Sequence, residues 1–243
     1  MSDLKKELDE ILANVEAMAE QTEQKPVRLP AGYVPPRVSE PSMVSIPIIG
    51  QTARHGDSVS IYGDEWQAAY ERAKECAEAG GLIIAYGGRG TGKTQMAFHL
   101  ARNANFPNAA YPPIYKNGFT PEHRNRPAIY LKAMEIFVDS KHSFNRKEAP
   151  TIKEILQKLE DAAFLIIDEA QVRGETKFED DLLTTLIDKR YDGVRATMLI
   201  TNLGRKEFAA TLSPSIISRI EQIGCGIECN WQSYRTKKTT EKK

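Results

Sequence analysis

The eight residues Gly87-Gly88-Arg89-Gly90-Thr91-Gly92-Lys93-Thr94 limit what this chain can fold into more than any other stretch. They satisfy G-x-x-x-x-G-K-[ST] at every fixed position, and the flanks give the pattern its weight. Leu82-Ile83-Ile84-Ala85-Tyr86 before it is a short apolar run of the kind a buried strand needs. Gln95-Met96-Ala97-Phe98-His99-Leu100-Ala101 after it reads as a helix. Glycines between a strand and a helix let backbone N–H groups close around a polyphosphate, and the helix N-terminus adds a favourable dipole. Gly87, Gly88, Arg89, Gly90, Thr91, Gly92, Lys93 and Thr94 are therefore the expected nucleotide cradle. Lys93 is placed to reach the β- and γ-phosphates, and the Thr94 hydroxyl to hold Mg²⁺. ATP and Mg²⁺ are the expected ligands.

Such a loop belongs on a parallel sheet covered on both faces, and the rest of the chain supplies one. Asp64 is the expected cap of a helix running to residues 76–79, with Trp66, Ala69, Tyr70 and Ala73 inward and Gly80-Gly81 as its end. Residues 103–127, rich in Pro and Asn, read as a long loop. Strands are expected at 128–131, 164–167, 197–200 and 223–229, each a compact apolar run. Helices are expected at 133–140, 151–159, 181–191, 206–212 and 215–220, the second with Ile152, Ile155, Leu156 and Leu159 inward. The alternation predicts an α/β P-loop NTPase with a mostly parallel five-stranded sheet flanked by helices, without a large helical lid.

The strand at 164–167 runs into Asp168-Glu169 about seventy-five residues after the loop, as a Walker B strand does. Asp168 is expected to hold Mg²⁺ through its water shell and Glu169 to orient the attacking water, which makes the chain an ATPase converting ATP and water to ADP and phosphate. Asn202 ends the next strand, where an amide can sense the γ-phosphate. Arg219 follows the break at Pro214 and can project toward a neighbouring subunit's phosphate.

Outside this core the composition changes. Only 41% of the 243 residues are hydrophobic, a little below the usual range, so part of the chain is expected to lie outside the core. The zero net charge hides an asymmetry: residues 1–24 hold seven acids against Lys5 and Lys6, whereas Arg235, Lys237, Lys238, Lys242 and Lys243 make a basic end. Leu4, Leu8, Ile11, Leu12, Val15 and Met18 fall at helical spacing, and six prolines follow between residues 24 and 50. Residues 1–23 are thus expected as a partner-binding helix, 24–60 as a proline-rich linker, 61–230 as the core and 231–243 as a basic tail. A long acidic helix on such a linker either docks on a partner or self-associates, and docking is the preferred reading. Cys76, Cys225 and Cys229 make neither a disulfide framework nor a zinc site, and no run reaches membrane-spanning length, so a cytoplasmic setting is expected.

The loop, Asp168-Glu169, Asn202 and Arg219 in that order resemble the AAA+ ATPases. The run Asn230-Trp231-x-Ser233-Tyr234-Arg235 and the string from Asp168-Glu169 to Lys177-Phe178-Glu179 resemble the DnaC family of bacterial replicative helicase loaders and its phage and prophage relatives. The resemblance covers roughly residues 66–235. It implies an ATP-controlled loader whose N-terminal segment grips a hexameric helicase, whose cores self-associate in a spiral, and whose inner face meets single-stranded DNA. It places Phe144 and Thr176-Lys177-Phe178 at DNA, where an aromatic stacks on bases and a lysine meets phosphate, with Lys141, Arg146 and Lys147 adding charge. It also implies a finger arginine one turn before Arg219, a position that is Ser215 here. A transposition helper of the related IstB type is the alternative.

Overall fold

The computed structural model describes residues 46–50, 63–110, 114–116, 120–122, 125–142, 150–172 and 176–234. Residues 1–23, expected as a helix, most of the proline-rich stretch, Phe144, Arg146, Lys147 and the tail beyond Tyr234 lie outside them. No helix among the described residues is long and apolar enough to cross a membrane.

The main sheet comprises β1 (Ile48–Ile49), β2 (Leu82–Tyr86), β5 (Ala128–Lys132), β6 (Phe164–Asp168), β7 (Ala196–Ile200) and β8 (Gly224–Glu228). Every neighbouring pair is parallel, in the order β1-β5-β6-β7-β2-β8. The sixth strand, β1, falls within the stretch read as linker. Ala128 N donates to Pro47 O there, and an edge strand tolerates the proline that precedes it. The long loop after the nucleotide helix also holds more than expected, a small antiparallel hairpin of β3 (Ile114–Lys116) and β4 (Thr120–Glu122).

Strand alternation sorts the apolar side chains to two faces. Ile83, Phe164, Ile166, Met198 and Ile200 face a cluster completed by α1 (Asp64–Glu78) and α2 (Lys93–Asn103), with Trp66 and Met96 at its heart. Ile84, Leu165, Ile167 and Leu199 face the other cluster. That one is covered by α3 (Ala133–His142), α4 (Ile152–Asp161), α5 (Lys177–Asp192), α6 (Arg205–Ala209) and α7 (Pro214–Ile223). Because both faces are covered, the central strands are apolar throughout rather than alternating.

The caps follow local chemistry. Thr151 and Glu154 form a reciprocal capping box that starts α4, so this helix begins one residue after the predicted threonine. Gly63, not Asp64, is the N-cap of α1; Asp64 sits in the first turn, where an acid still complements the helix dipole. Helix α5 starts four residues earlier than its apolar pattern implied, because Thr176 caps it and accepts from Glu179 N. Strand β2 lies next to the β8 edge, with β7 on its other side. Chains leave opposite sides there, and a crevice opens beyond the carboxyl ends of the strands.

Candidate nucleotide site

Three strand ends converge at this crevice. β2 delivers the glycine loop, β6 delivers Asp168 and Glu169, and β7 delivers Thr201 and Asn202. The loop needs its glycines for different reasons. Gly87 has φ +116°, and a Cβ there would lie 2.6 Å from the Cys229 carbonyl oxygen. Gly92 is the N-cap of α2 in the left-handed region, with φ 86°. Inside the curve, Lys93 Nζ donates to the carbonyls of Gly87 and Gly88 at 2.8 and 2.6 Å. The lysine is 5% exposed, so its charge is concentrated at the hollow where a polyphosphate would lie.

The two residues expected at Mg²⁺ lie side by side. Thr94 Oγ1 donates to Asp168 Oδ2 at 2.9 Å. One hydroxyl and one carboxylate suit Mg²⁺, which keeps waters and takes its remaining ligands from phosphate. Together with the loop hollow that holds the buried Lys93 ammonium, these residues fit a Mg²⁺–nucleotide. Tyr130, which sequence reasoning missed, donates its hydroxyl to the same Asp168 oxygen at 3.0 Å. Burial and the neighbouring Asp168 carboxylate hold the Tyr130 phenol well above its ordinary pKa, so it stays a donor.

Glu169 is held in an uncommon conformation. Its φ is +52°, a left-handed value that costs a non-glycine residue about 1–2 kcal/mol. Three hydrogen bonds enforce it: Glu169 N to Asp168 Oδ1 at 2.7 Å, Val172 N to Glu169 O at 2.8 Å and Ala170 N to Ile200 O at 2.9 Å. Its carboxylate pairs with Lys132 Nζ at 3.0 Å. Lys132 stands opposite Asp168 in the β5–β6 register, which is why a lysine ending one strand meets the acid following the next. The hydrogen bond to Glu169 raises the Lys132 pKa, followed by the charge of that carboxylate.

Asn202 is half-buried beside the first loop glycine, since Gly87 N donates to Leu203 O and Thr201 N to Ala85 O on either side of it. Arg219 lies elsewhere. Its Nε is 3.4 Å from Asp188 Oδ1 and its guanidinium carbon 4.4 Å from the Tyr191 ring centre. It borders a small cavity with Leu82 and Thr197, which begin β2 and β7, so it sits at the opposite end of the sheet from its own loop. Ser215 donates to the same Asp188 carboxylate at 3.0 Å.

Of the residues expected at DNA, Thr176 is engaged as the helix cap and Phe178 packs half-buried against the second cluster. Lys177 is exposed beside them. Lys141 Nζ pairs at 2.7 Å with Glu179, whose side chain is 1% exposed, so that lysine is tied to the start of α5.

No family model matches the chain. The chain is similar to the replicative helicase loader DnaC of Escherichia coli strain K12, 26% identical over 118 residues, 48% of this chain and 47% of that protein. It thus spans about half the length of the curated relatives it matches. Among solved structures, AMPPCP-bound DnaA from Aquifex aeolicus superposes with a TM-score of 0.54 at 22% identity, over 75% of this chain and 52% of that one. A crystal structure of the DnaC helicase loader superposes with a TM-score of 0.53 at 16% identity, over 73% of this chain and 99% of that one. The fold is that of an AAA+ P-loop NTPase.

Proposed function

We propose that this chain is an ATP-driven switch that loads a replicative DNA helicase onto single-stranded DNA. The hydrogen bond from Thr94 to Asp168 at 2.9 Å, at the mouth of the glycine loop, carries the nucleotide part of this reading. Likeness to the helicase loader DnaC supports the partner. The loop amides and Lys93 bind and neutralise the polyphosphate, and Thr94 and Asp168 hold Mg²⁺. That ion supplies charge screening for the transferring phosphoryl oxygens. Glu169, once free of Lys132, accepts a hydrogen bond from the attacking water and orients it. Asn202 lies beside Gly87, where its amide can report on the γ-phosphate.

Arg219 serves a neighbouring subunit in this reading, because its own loop lies at the other end of the sheet. Self-association through the cores would complete each site in turn. Lys177, with Phe144, Thr176 and Phe178 near it in the family pattern, contributes to a DNA-facing surface. The helix of residues 1–23 docks on the helicase. The test is a pull-down of purified hexameric replicative helicase by the full-length chain, with and without ATP. Capture that ATP strengthens is the expected result; no capture under either condition overturns the loader reading.

A further inference from the structure

The chain's two tryptophans come from opposite ends of the core and reach the same loop. Trp66 Nε1, from α1, donates to the Gly92 carbonyl at 3.4 Å. Trp231 Nε1, from the segment after β8, donates to the Thr91 carbonyl at 2.8 Å. Three residues further on, Tyr234 N donates to the Gly90 carbonyl at 2.9 Å. Three consecutive loop carbonyls therefore each receive a donor from outside the loop; Gly92 O also takes the first helical bond, from Met96 N at 2.8 Å, so the outside donors matter most at Gly90 and Thr91.

Peptide geometry converts this into a statement about phosphate. In a trans peptide the C=O of one residue and the N–H of the next point in opposite directions. Fixing the carbonyls of Gly90, Thr91 and Gly92 outward turns the N–H groups of Thr91, Gly92 and Lys93 toward the hollow that holds Lys93 Nζ. Glycine-rich backbone does not hold such an orientation by itself, because Gly90 and Gly92 populate many conformations. The segment carrying Trp231 is anchored for the task. Cys229 N donates to Tyr86 O at 2.9 Å, and the chain then crosses back over the loop. Burial pushes the Cys229 thiol up to about 12, so the group beneath Gly87 stays neutral. Trp231 is half-buried and packs its ring against the first cluster, while its indole N–H is spent on the Thr91 carbonyl.

We propose that Trp231 is a positioning residue for phosphate binding, holding the loop's carbonyls outward together with Trp66 and the Tyr234 amide. The proposal rests on the nucleotide reading above and adds to it a dependence on the C-terminal segment. It concerns the β-phosphate, which the 91–93 amides would meet, and so applies to ADP and ATP alike but not to AMP.

The variant W231F keeps an aromatic ring and removes the donor. Full-length wild type and W231F are titrated with ADP, AMPPCP and AMP, at a temperature where circular dichroism shows both folded. Hydrogen exchange at the 91–93 amides is followed without nucleotide. The expected result is about threefold to tenfold weaker binding of ADP and AMPPCP, unchanged affinity for AMP, and faster exchange at 91–93. Wild-type affinity and wild-type exchange in W231F overturn the proposal and leave the nucleotide reading standing. Wild-type protein that binds neither ADP nor AMPPCP overturns that reading, and the phosphate role of Trp231 with it. Should W231F not fold, W66F leaves Trp231 as the only tryptophan. A shift of its fluorescence on adding ADP supports the proposal, and none overturns it.

Discussion

Arg190 is a fully buried charge and a direct test of how the core is held. It is 1% exposed, and among the described residues its guanidinium meets carbonyl and hydroxyl oxygens and no carboxylate. Nε donates to Thr197 Oγ1 at 2.7 Å, and Nη1 to the carbonyls of Leu159, Glu160 and Ala162 at 2.7, 3.1 and 2.9 Å. Nη2 donates to Ala196 O at 2.5 Å. One side chain thus ties the end of α4 to the start of β7. Burial pulls the Arg190 guanidinium down to about 9, which leaves it charged at neutral pH. In R190M, Thr197 keeps its bond to Arg195 O, and Glu160 O keeps its bond from Arg195. The carbonyls of Leu159, Ala162 and Ala196 lose a side-chain donor in an apolar setting, at about 1 kcal/mol or more each. Set against a gain of about 1 kcal/mol for burying the methionine, the net loss is about 2–4 kcal/mol. For a chain of this size that lowers Tm by about 5–15 °C, readable by calorimetry. R190K, with one ammonium for these acceptors, should fall between. The glycine loop lies at the other end of the strands, so ADP affinity should not change below the melting range. A fall of less than about 2 °C for R190M would refute the reasoning.

Three further outcomes are expected. G87A places a Cβ 2.6 Å from Cys229 O at φ +116°, so it should bind ADP at least about tenfold more weakly, by titration. Releasing Glu169 in K132A removes a half-exposed ion pair worth at most about 1 kcal/mol, so steady-state turnover should rise by no more than about fivefold. Since Glu169 raises the Lys132 pKa above its ordinary 10.5, the pair is intact below that pH and is lost only as pH rises through the raised value. The ratio of K132A to wild-type turnover should therefore be flat between about pH 6 and 9. Deleting residues 1–22 should abolish capture of the helicase while ADP affinity stays at the wild-type value.

The parts of the fold written locally were legible in the sequence. Strands β2, β6 and β7 are apolar on both faces, and their ends carry Gly87, Asp168 and Asn202 in a motif whose spacing is fixed by chain geometry. The missed parts depend on what the fold brings together. Lys132 meets Glu169 only because β5 and β6 pair in one register, and Tyr130 meets Asp168 for the same reason. Trp231 and Tyr234 stood out as a family signature, but spacing along the chain does not say that this segment returns to the loop. Nothing in the local sequence marks Arg190 and Glu179, charged residues of α5, as buried, yet each is 1% exposed. The edge strand β1 was hidden by its prolines, because two residues of pairing leave no period to detect.

The most direct measurement is phosphate release from ATP by wild type and E169Q, alongside AMPPCP affinity for both. Glu169 follows Asp168, the acid proposed to hold Mg²⁺, and has its backbone fixed by three hydrogen bonds, so its substitution should leave binding intact. Wild type should turn over, and E169Q should bind AMPPCP equally well while hydrolysing at least about a hundredfold more slowly. Negligible wild-type turnover, or E169Q working at the wild-type rate, would contradict the assignment of this site as an ATPase.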